Sequence, residues 1–123
     1  MAGEQEFNRA SILDSVKKDL GIMPDYTHFD PDIIMDINTA LSILTQLGVG
    51  PSQGFSIEDN TAEWDDFIPD SPTLDMVKSY VSKKTKQLFD PPNTGPLSEA
   101  FNKVLDELVW RINVAVDPKK EGQ

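Results

Sequence analysis

The stretch SPTLDMVKSYVSKKTKQLFDPP, residues 71–92, decides the fold because it holds one long helix with clear ends. Ser71 is a good N-cap, and Pro72 suits the first helical position, where no backbone N–H needs an intrahelical partner. Pro91 and Pro92 cannot continue a helix, so we expect it to end near residue 90. At about 100° per residue, one core face collects four apolar residues: Leu74, Val77, Val81 and Leu88.

The same helix carries a second apolar stripe and a set of positive charges. Met76 and Tyr80 lie roughly opposite the core face. Four lysines fall within nine residues: Lys78, Lys83, Lys84 and Lys86. In contrast, residues 19–77 contain twelve acidic residues and no Lys or Arg. A helix with two apolar stripes either lies between layers of its own domain or contacts another chain.

Three further helices are expected around this one. The first spans residues 8–20 and ends at Gly21. The second spans residues 30–47, with Asp30 as cap and Pro31 at the first position, and ends at Gly48. The last begins near Pro96 and runs to about residue 114 or 116.

The apolar positions of these helices predict how each is buried. The second helix should be the most buried, because apolar residues cover nearly half its circumference: Ile33, Ile34, Ile37, Leu41, Leu44 and Leu47. The last helix has a core stripe formed by Phe101, Val104, Leu105, Leu108 and Ile112. Trp110 and Val114, four residues apart, project from its far side.

Residues 49–70 form the irregular part of the chain, punctuated by glycine and proline. Residues 55–57 alternate like a strand, so a short β-arm is possible there. Residues 61–67, TAEWDDF, are expected to form a single helical turn with Trp64 and Phe67 on one side. The prediction is a mainly α fold, a small bundle of three to four helices with this long loop. Residues 9–116 form the domain, between a flexible N-terminus (1–8) and a flexible tail (117–123).

Composition narrows the class of protein. A chain of 123 residues is enough for one domain, and a net charge of −10 argues against a broad phosphate-binding surface. Cysteine is absent, which excludes disulfides and thiolate metal sites. No apolar run approaches the roughly 20 residues of a membrane span, and the acidic N-terminus does not resemble a secretory signal. We therefore expect a soluble protein that is intracellular when synthesised, without a membrane partner.

Catalytic and metal sites find little support in the sequence. His28 is the only histidine, and it lies in a connector without an evident nucleophile or metal-binding partner. Acidic residues of the loop could in principle hold Ca²⁺, but the spacing of a calcium loop is missing: Glu58, Asp59, Glu63, Asp65 and Asp66. No nucleophile triad, phosphate-binding glycine loop or nucleotide fingerprint appears, and no cofactor is predicted.

Two surfaces leave alternatives open. The lysines of the central helix could be a solvated face, a contact for the acidic loop of a neighbouring copy, or a DNA contact. Met76, Tyr80, Trp110 and Val114 could be buried under the long loop or could form a subunit interface.

A family resemblance adds to this interpretation. Short stretches carry it in chain order: Leu47-Gly48-Val49-Gly50-Pro51, Gly54-Phe55, Trp64-Asp65-Asp66-Phe67, Val77-Lys78 with Tyr80-Val81, Leu88-Phe89-Asp90-Pro91-Pro92, and Leu108 with Trp110-Arg111. Over about residues 10–117 the chain resembles the head–tail connector, or adaptor, family of long-tailed bacteriophages, whose members are also called DNA-packaging proteins. At Thr85 the resemblance predicts an apolar residue instead.

The resemblance implies a helical structural protein without enzymatic activity. It also implies that copies assemble as a ring, typically of twelve, beneath the portal protein at the head–tail junction of the virion, after synthesis in the host bacterial cytoplasm. On this resemblance, the ring is expected to extend the channel, through which DNA would pass without sequence-specific binding, and to dock the next tail-side completion protein.

On this basis we expect a subunit interface with two kinds of contact. Asp65 and Asp66 of one copy would approach Lys78, Lys83 or Lys86 of the next, which sets the register more than the affinity. The surplus apolar residues would supply the affinity: Met76, Tyr80, Trp110 and Val114. The alternative function is a small helical interaction protein that regulates a host or phage partner. An enzyme working through carboxylates around Asp65 is a further rival.

Overall fold

The computed structural model describes residues 8–116, in which the backbone forms five helices. In chain order they are α1 (Ile12–Leu20), α2 (Asp30–Gln46), α3 (Trp64–Phe67), α4 (Pro72–Phe89) and α5 (Gly95–Val116). The prediction of a mainly helical bundle is confirmed. The expectations for residues 1–7 and 117–123 lie outside the described residues. None of the described helices is long and apolar enough to span a bilayer.

The helix ends follow from local capping chemistry. Ser11 Oγ accepts a hydrogen bond from the Asp14 amide at 3.2 Å, and Ser71 Oγ accepts one from the Leu74 amide at 3.3 Å. These bonds satisfy amides that have no partner within the first turn of a helix. α1 ends where Gly21 adopts a left-handed conformation, with φ of 79°. The predicted helix start at Ser71 and the predicted end at Gly21 are confirmed, whereas the first helix begins at Ile12 and not at residue 8 as predicted.

Asp30 has a role other than the predicted N-cap of α2. Phe29 occupies the cap position, and no side chain makes a capping bond there. The Asp30 carboxylate instead forms an ion pair with Lys17, with Oδ1 2.8 Å from Nζ. The prediction that Asp30 is the N-cap of α2 was therefore wrong, because its carboxylate is paired with Lys17.

Lys17 of α1 is fully buried, although it carries a positive charge. Its ammonium donates hydrogen bonds to the carbonyl oxygens of Pro24, at 3.0 Å, and Tyr26, at 2.8 Å. With Asp30, these two carbonyls give the charge three oxygen partners. The connector between α1 and α2 therefore wraps around a lysine.

α4 is the centre of the packing, since it lies against α1, α2 and α5. The fully buried residues of α2, which include Ile33, Ile37 and Leu41, face it and agree with the prediction that α2 is deeply buried. The extensive contacts of α5 are with α4 alone. In α5, only Leu105 and Ile112 are buried, so this helix adheres to the bundle along a narrow seam.

Two residues assigned to core stripes are instead half-exposed: Leu88 at the end of α4 and Val104 of α5, each 42 % exposed. The last turn of α4 is held by the ring of Phe89, which meets the Phe29 ring edge-on at a centroid distance of 5.4 Å. Phe29 itself belongs to the connector wrapped around Lys17, so an aromatic contact replaces the aliphatic one that the helical spacing predicted.

The long loop before α3 is fixed by side chains and not by a β-arm. The side-chain amide of Asn38, on α2, makes two hydrogen bonds to the backbone of Ile57. Its Nδ2 donates to the Ile57 carbonyl at 3.0 Å, and its Oδ1 accepts from the Ile57 N–H at 2.8 Å. Residues 55–57 form no strand, and the backbone amide and carbonyl of Ile57 already have a side-chain partner. Within residues 8–116, the one β-bridge pairs Ser11 with Glu63 and ties the start of α3 to α1.

Thr85 is the position where the resemblance predicted an apolar residue. It is fully buried in α4, and its hydroxyl has no hydrogen-bond partner in the described part of the chain. We expect Thr85→Val to raise the free energy of unfolding by about 1–2 kcal/mol, since an unpaired buried hydroxyl becomes a methyl of similar shape. Urea denaturation measures this change.

Thr45→Val is the matched control for this substitution. The Thr45 hydroxyl donates to the Leu41 carbonyl at 3.0 Å, so its removal should give no such gain. Equal stability changes in the two variants would contradict the interpretation of Thr85.

Candidate subunit interface

The outer side of α5 carries the largest exposed side chain of the described chain. Trp110 is 65 % exposed and Val114 is 44 % exposed, one helical turn apart. The buried seam at Leu105 and Ile112 lies on the opposite side of the helix, as the 3.6-residue period requires. The salt bridge between Arg111 and Glu107, at 2.7 Å, borders this apolar surface. The arrangement suits an interface, where large aromatic residues concentrate.

Tyr80 and Met76, the other two apolar candidates, are less accessible to a neighbouring subunit than Trp110 and Val114. Tyr80 is 3 % exposed, and Met76 is half-buried against the core. Burial of the phenol, assisted by the negative charge of Asp106 on α5, raises the pKa of Tyr80 above its ordinary value. Tyr80 therefore contributes to the packing of α4 on α5, and the free apolar surface consists mainly of Trp110 and Val114.

The raised pKa of Tyr80 predicts a pH effect. Below pH 10 both folded and unfolded states hold the neutral phenol. Above pH 10, the phenol of Tyr80 ionises in the unfolded chain before it ionises in the folded protein. The free energy of unfolding therefore falls as the pH rises from the unfolded-state pKa through the folded-state pKa of Tyr80. We expect Tyr80→Phe to lose less stability than the wild type between pH 9 and 11, measured by urea denaturation. Tyr26→Phe, at an exposed tyrosine, is the control, and equal behaviour of the two variants would contradict the assignment.

Three of the lysines share a groove. Lys78, Lys83 and Lys86 of α4 line a cleft of about 480 Å³, together with Asp19 of α1 and Phe101 of α5. Lys86 pairs with Asp90 at 3.3 Å. Lys78 and Lys83 make no hydrogen bond or ion pair with any described residue. The structure thus brings the predicted basic residues together and leaves two of them available for a partner.

The acidic residues proposed to meet these lysines are placed differently. Asp66 accepts a hydrogen bond from the Glu63 amide at 2.9 Å and so stabilises the start of α3. Asp65 is exposed, but it lines the same shallow depression as Lys78 of its own chain. A ring contact joins two different surfaces of the subunit. The shared location of Asp65 and Lys78 therefore makes that particular pair a weak basis for an inter-copy contact.

The remaining candidate residues do not assemble into a reactive site. His28 lies exposed beside the ring of Phe29, at a centroid distance of 4.9 Å. Within residues 8–116, no group of three or more His, Asp or Glu residues is arranged to hold a metal ion. The geometry offers docking surfaces, and the described residues show no assembled catalytic constellation.

One pocket was missed by the sequence analysis. Its walls come from the first turn of α1, the α1–α2 connector, the first turn of α2 and residues 58–60 of the loop. It includes Asp14, which is 5 % exposed. Since the pocket joins residues 13–14, 24–34 and 58–60, which only the fold brings together, no local motif could have predicted it.

Comparison with known protein families gives a match over most of the chain. A family model described as phage connector protein matches residues 12–119, nearly the whole chain, and this confirms the resemblance carried by the motifs. No curated protein and no solved structure matches.

Proposed function

Because this chain belongs to the phage connector protein family, a family of structural proteins, we propose that it forms a ring beneath the portal protein at the head–tail junction of the virion. In this role it extends the DNA channel, docks the tail-side completion protein and catalyses no reaction. The proposal includes twelve copies in the ring, which follows the family resemblance.

The exposed apolar surface of α5 is the observation that best supports assembly. A tryptophan that is 65 % exposed beside a half-exposed valine leaves apolar area uncovered in the single chain. α5 is also held mainly by α4, so most of its circumference remains available to a neighbour. Apolar area of this kind gains stability when a second subunit covers it.

The net charge of −10 is compatible with a channel wall. DNA must slide through without sticking, and a protein that lacks a strongly basic surface releases few counterions and binds the phosphate backbone weakly. The groove lined by Lys78, Lys83 and Lys86 is small compared with the basic surface that DNA binding needs. The unpaired ammonium groups of Lys78 and Lys83 suit a protein partner.

The direct test is incubation of the chain with the purified portal protein of the same phage, followed by electron microscopy. A ring of density below the portal is expected. A monomer or dimer without affinity for the portal would contradict the proposal and would favour a small regulatory interaction protein.

A double variant tests whether the exposed apolar surface of α5 lies in the ring interface. Trp110→Ser combined with Val114→Ser should reduce ring occupancy on the portal at least tenfold, since it removes the exposed apolar surface. The thermal unfolding midpoint should change little, because both side chains are exposed. Leu97→Ser, at another exposed site of α5, is the control. Undiminished occupancy would show that this surface lies outside the interface.

A further inference from the structure

The pocket between α1, α2 and the loop has the composition of a cation site with apolar walls. It encloses about 540 Å³ and includes four carboxylates, those of Asp14, Asp30, Glu58 and Asp59, and no lysine or arginine. The walls between the acids are apolar, from Leu13 of α1 and from Pro31 and Ile34 of α2. Since only one of these carboxylates has a cationic partner, the pocket carries surplus negative charge.

Asp14 is the observation that points to a ligand. Asp14 lines the pocket and the residue is only 5 % exposed, yet its carboxylate has no hydrogen bond or ion pair with any described residue. A buried charge without a partner is costly, and proteins normally pair it. The position in the first turn of α1 offsets part of this cost through the helix dipole, but it supplies no partner atom.

The other carboxylates of the pocket differ in whether they are free to bind a cationic group. Asp30 is already bound to Lys17. Hydrogen bonds from the side chain and amide of Thr61 lower the pKa of Asp59, so this exposed carboxylate stays ionised at neutral pH. Glu58 is exposed and has no partner among the described residues. Two exposed acids and one buried acid line the same pocket, and this set suits a positive group on an apolar stem.

We propose that this acidic pocket binds a lysine side chain of a second copy of the chain, donated by Lys78 or Lys83 of its basic groove. The ammonium would pair with Asp14, and the methylene stem would pack on Leu13 and Ile34. The proposal rests on the proposed ring, and it specifies which surfaces meet.

Two features of the chain favour a second copy as the source. Lys78 and Lys83 are cations without partners in the described chain, so the complementary charge is already present. The acidic pocket and the basic groove share no lining residue, and on α1 the positions of Asp14 and Asp19 are about 140° apart. A contact between two different surfaces of the subunit is the kind that generates a ring.

The first experiment tests the chemistry of the pocket alone. n-Butylammonium chloride is titrated into the full-length protein, and chemical shifts are followed by NMR with sodium chloride as the ionic-strength control. Saturable shifts at Leu13, Asp14 and Ile34 are expected. These shifts should weaken at least fivefold in Asp14→Asn with Glu58→Gln, and persist in Asp25→Asn with Asp32→Asn, which changes the net charge equally. Glu58→Gln alone serves if Asp14→Asn impairs folding. Absence of localised shifts overturns the proposal.

The second experiment identifies the donor. Equal amounts of ¹⁴N- and ¹⁵N-labelled chains are assembled on the portal protein and cross-linked with a water-soluble carbodiimide, which joins carboxylates to lysines in contact. Mixed-isotope peptides that link Asp14, Glu58 or Asp59 to Lys78 or Lys83 are expected, and Lys78→Gln with Lys83→Gln should remove them.

The outcomes separate this inference from the proposed function. A ring whose mixed-isotope cross-links fall only on other surfaces overturns the pocket contact and leaves the connector role intact. Absence of a ring overturns the proposed function. In that case, n-butylammonium binding at the pocket would assign the cation to a different partner and overturn the second-copy donor.

Discussion

Replacement of Lys17 by methionine is expected to lower the free energy of unfolding by about 3–5 kcal/mol, since removal of one member of a buried ion pair leaves the other unpaired. The Lys17 ammonium bonds three oxygens, those of Pro24, Tyr26 and Asp30, at 2.8–3.0 Å. Methionine fills a similar volume but donates no hydrogen bond, so two carbonyls and a carboxylate lose their partner. For a domain whose total stability is about 5–15 kcal/mol, this is a large fraction.

Urea denaturation followed by circular dichroism measures the loss, and Lys103→Met at an exposed position of α5 is the control. The double variant Lys17→Met with Asp30→Asn should be less destabilised than the sum of the two single variants, because the second substitution removes the unpaired charge. A loss below about 1 kcal/mol for Lys17→Met would contradict the buried role of this lysine.

The Gly50→Ala variant is expected to lose about 2–4 kcal/mol, from backbone strain and steric overlap together. Gly50 has φ of 81°, a conformation that residues with a Cβ rarely adopt. A Cβ at this position would also meet the Phe67 ring, 2.8 Å from Cδ1. Phe67 is buried and packs on Phe55, so the ring cannot move away freely.

Gly48→Ala separates the two contributions. Gly48 has φ of 96°, but a Cβ there would meet no atom within 4 Å. This control should lose only the strain of about 1–2 kcal/mol. Thermal unfolding of both variants gives the comparison, and an equal loss would show that contact with Phe67 has no energetic weight. Substitution of Phe67 by leucine in the Gly50→Ala background should recover part of the loss.

Local signals in the sequence were sufficient for the helices and for the family. Ser71 and Gly21 cap or terminate helices through contacts within a few residues, so their roles could be predicted directly, whereas the cap at Ser11 was missed because the first helix was expected to begin at residue 8. The apolar spacing of α2, and that of α4 as far as Val81, predicted their buried faces for the same reason, whereas Leu88 at the end of α4 is half-exposed. The exposure of Trp110 and Val114 was anticipated as one of two alternatives, and the structure leaves both on the surface.

Tertiary packing decided which polar groups lie inside. The sequence by itself determined a helical connector-family chain with caps, core faces and a charge imbalance. It could not show that Lys17 is buried, that Asp30 forms an ion pair with Lys17, or that Asp14 lies unpaired in a pocket. Helical periodicity assigns a side to each residue but does not say which neighbouring segment covers that side. The connector and the loop cover these charges from distant parts of the chain, and only the folded structure brings those segments together.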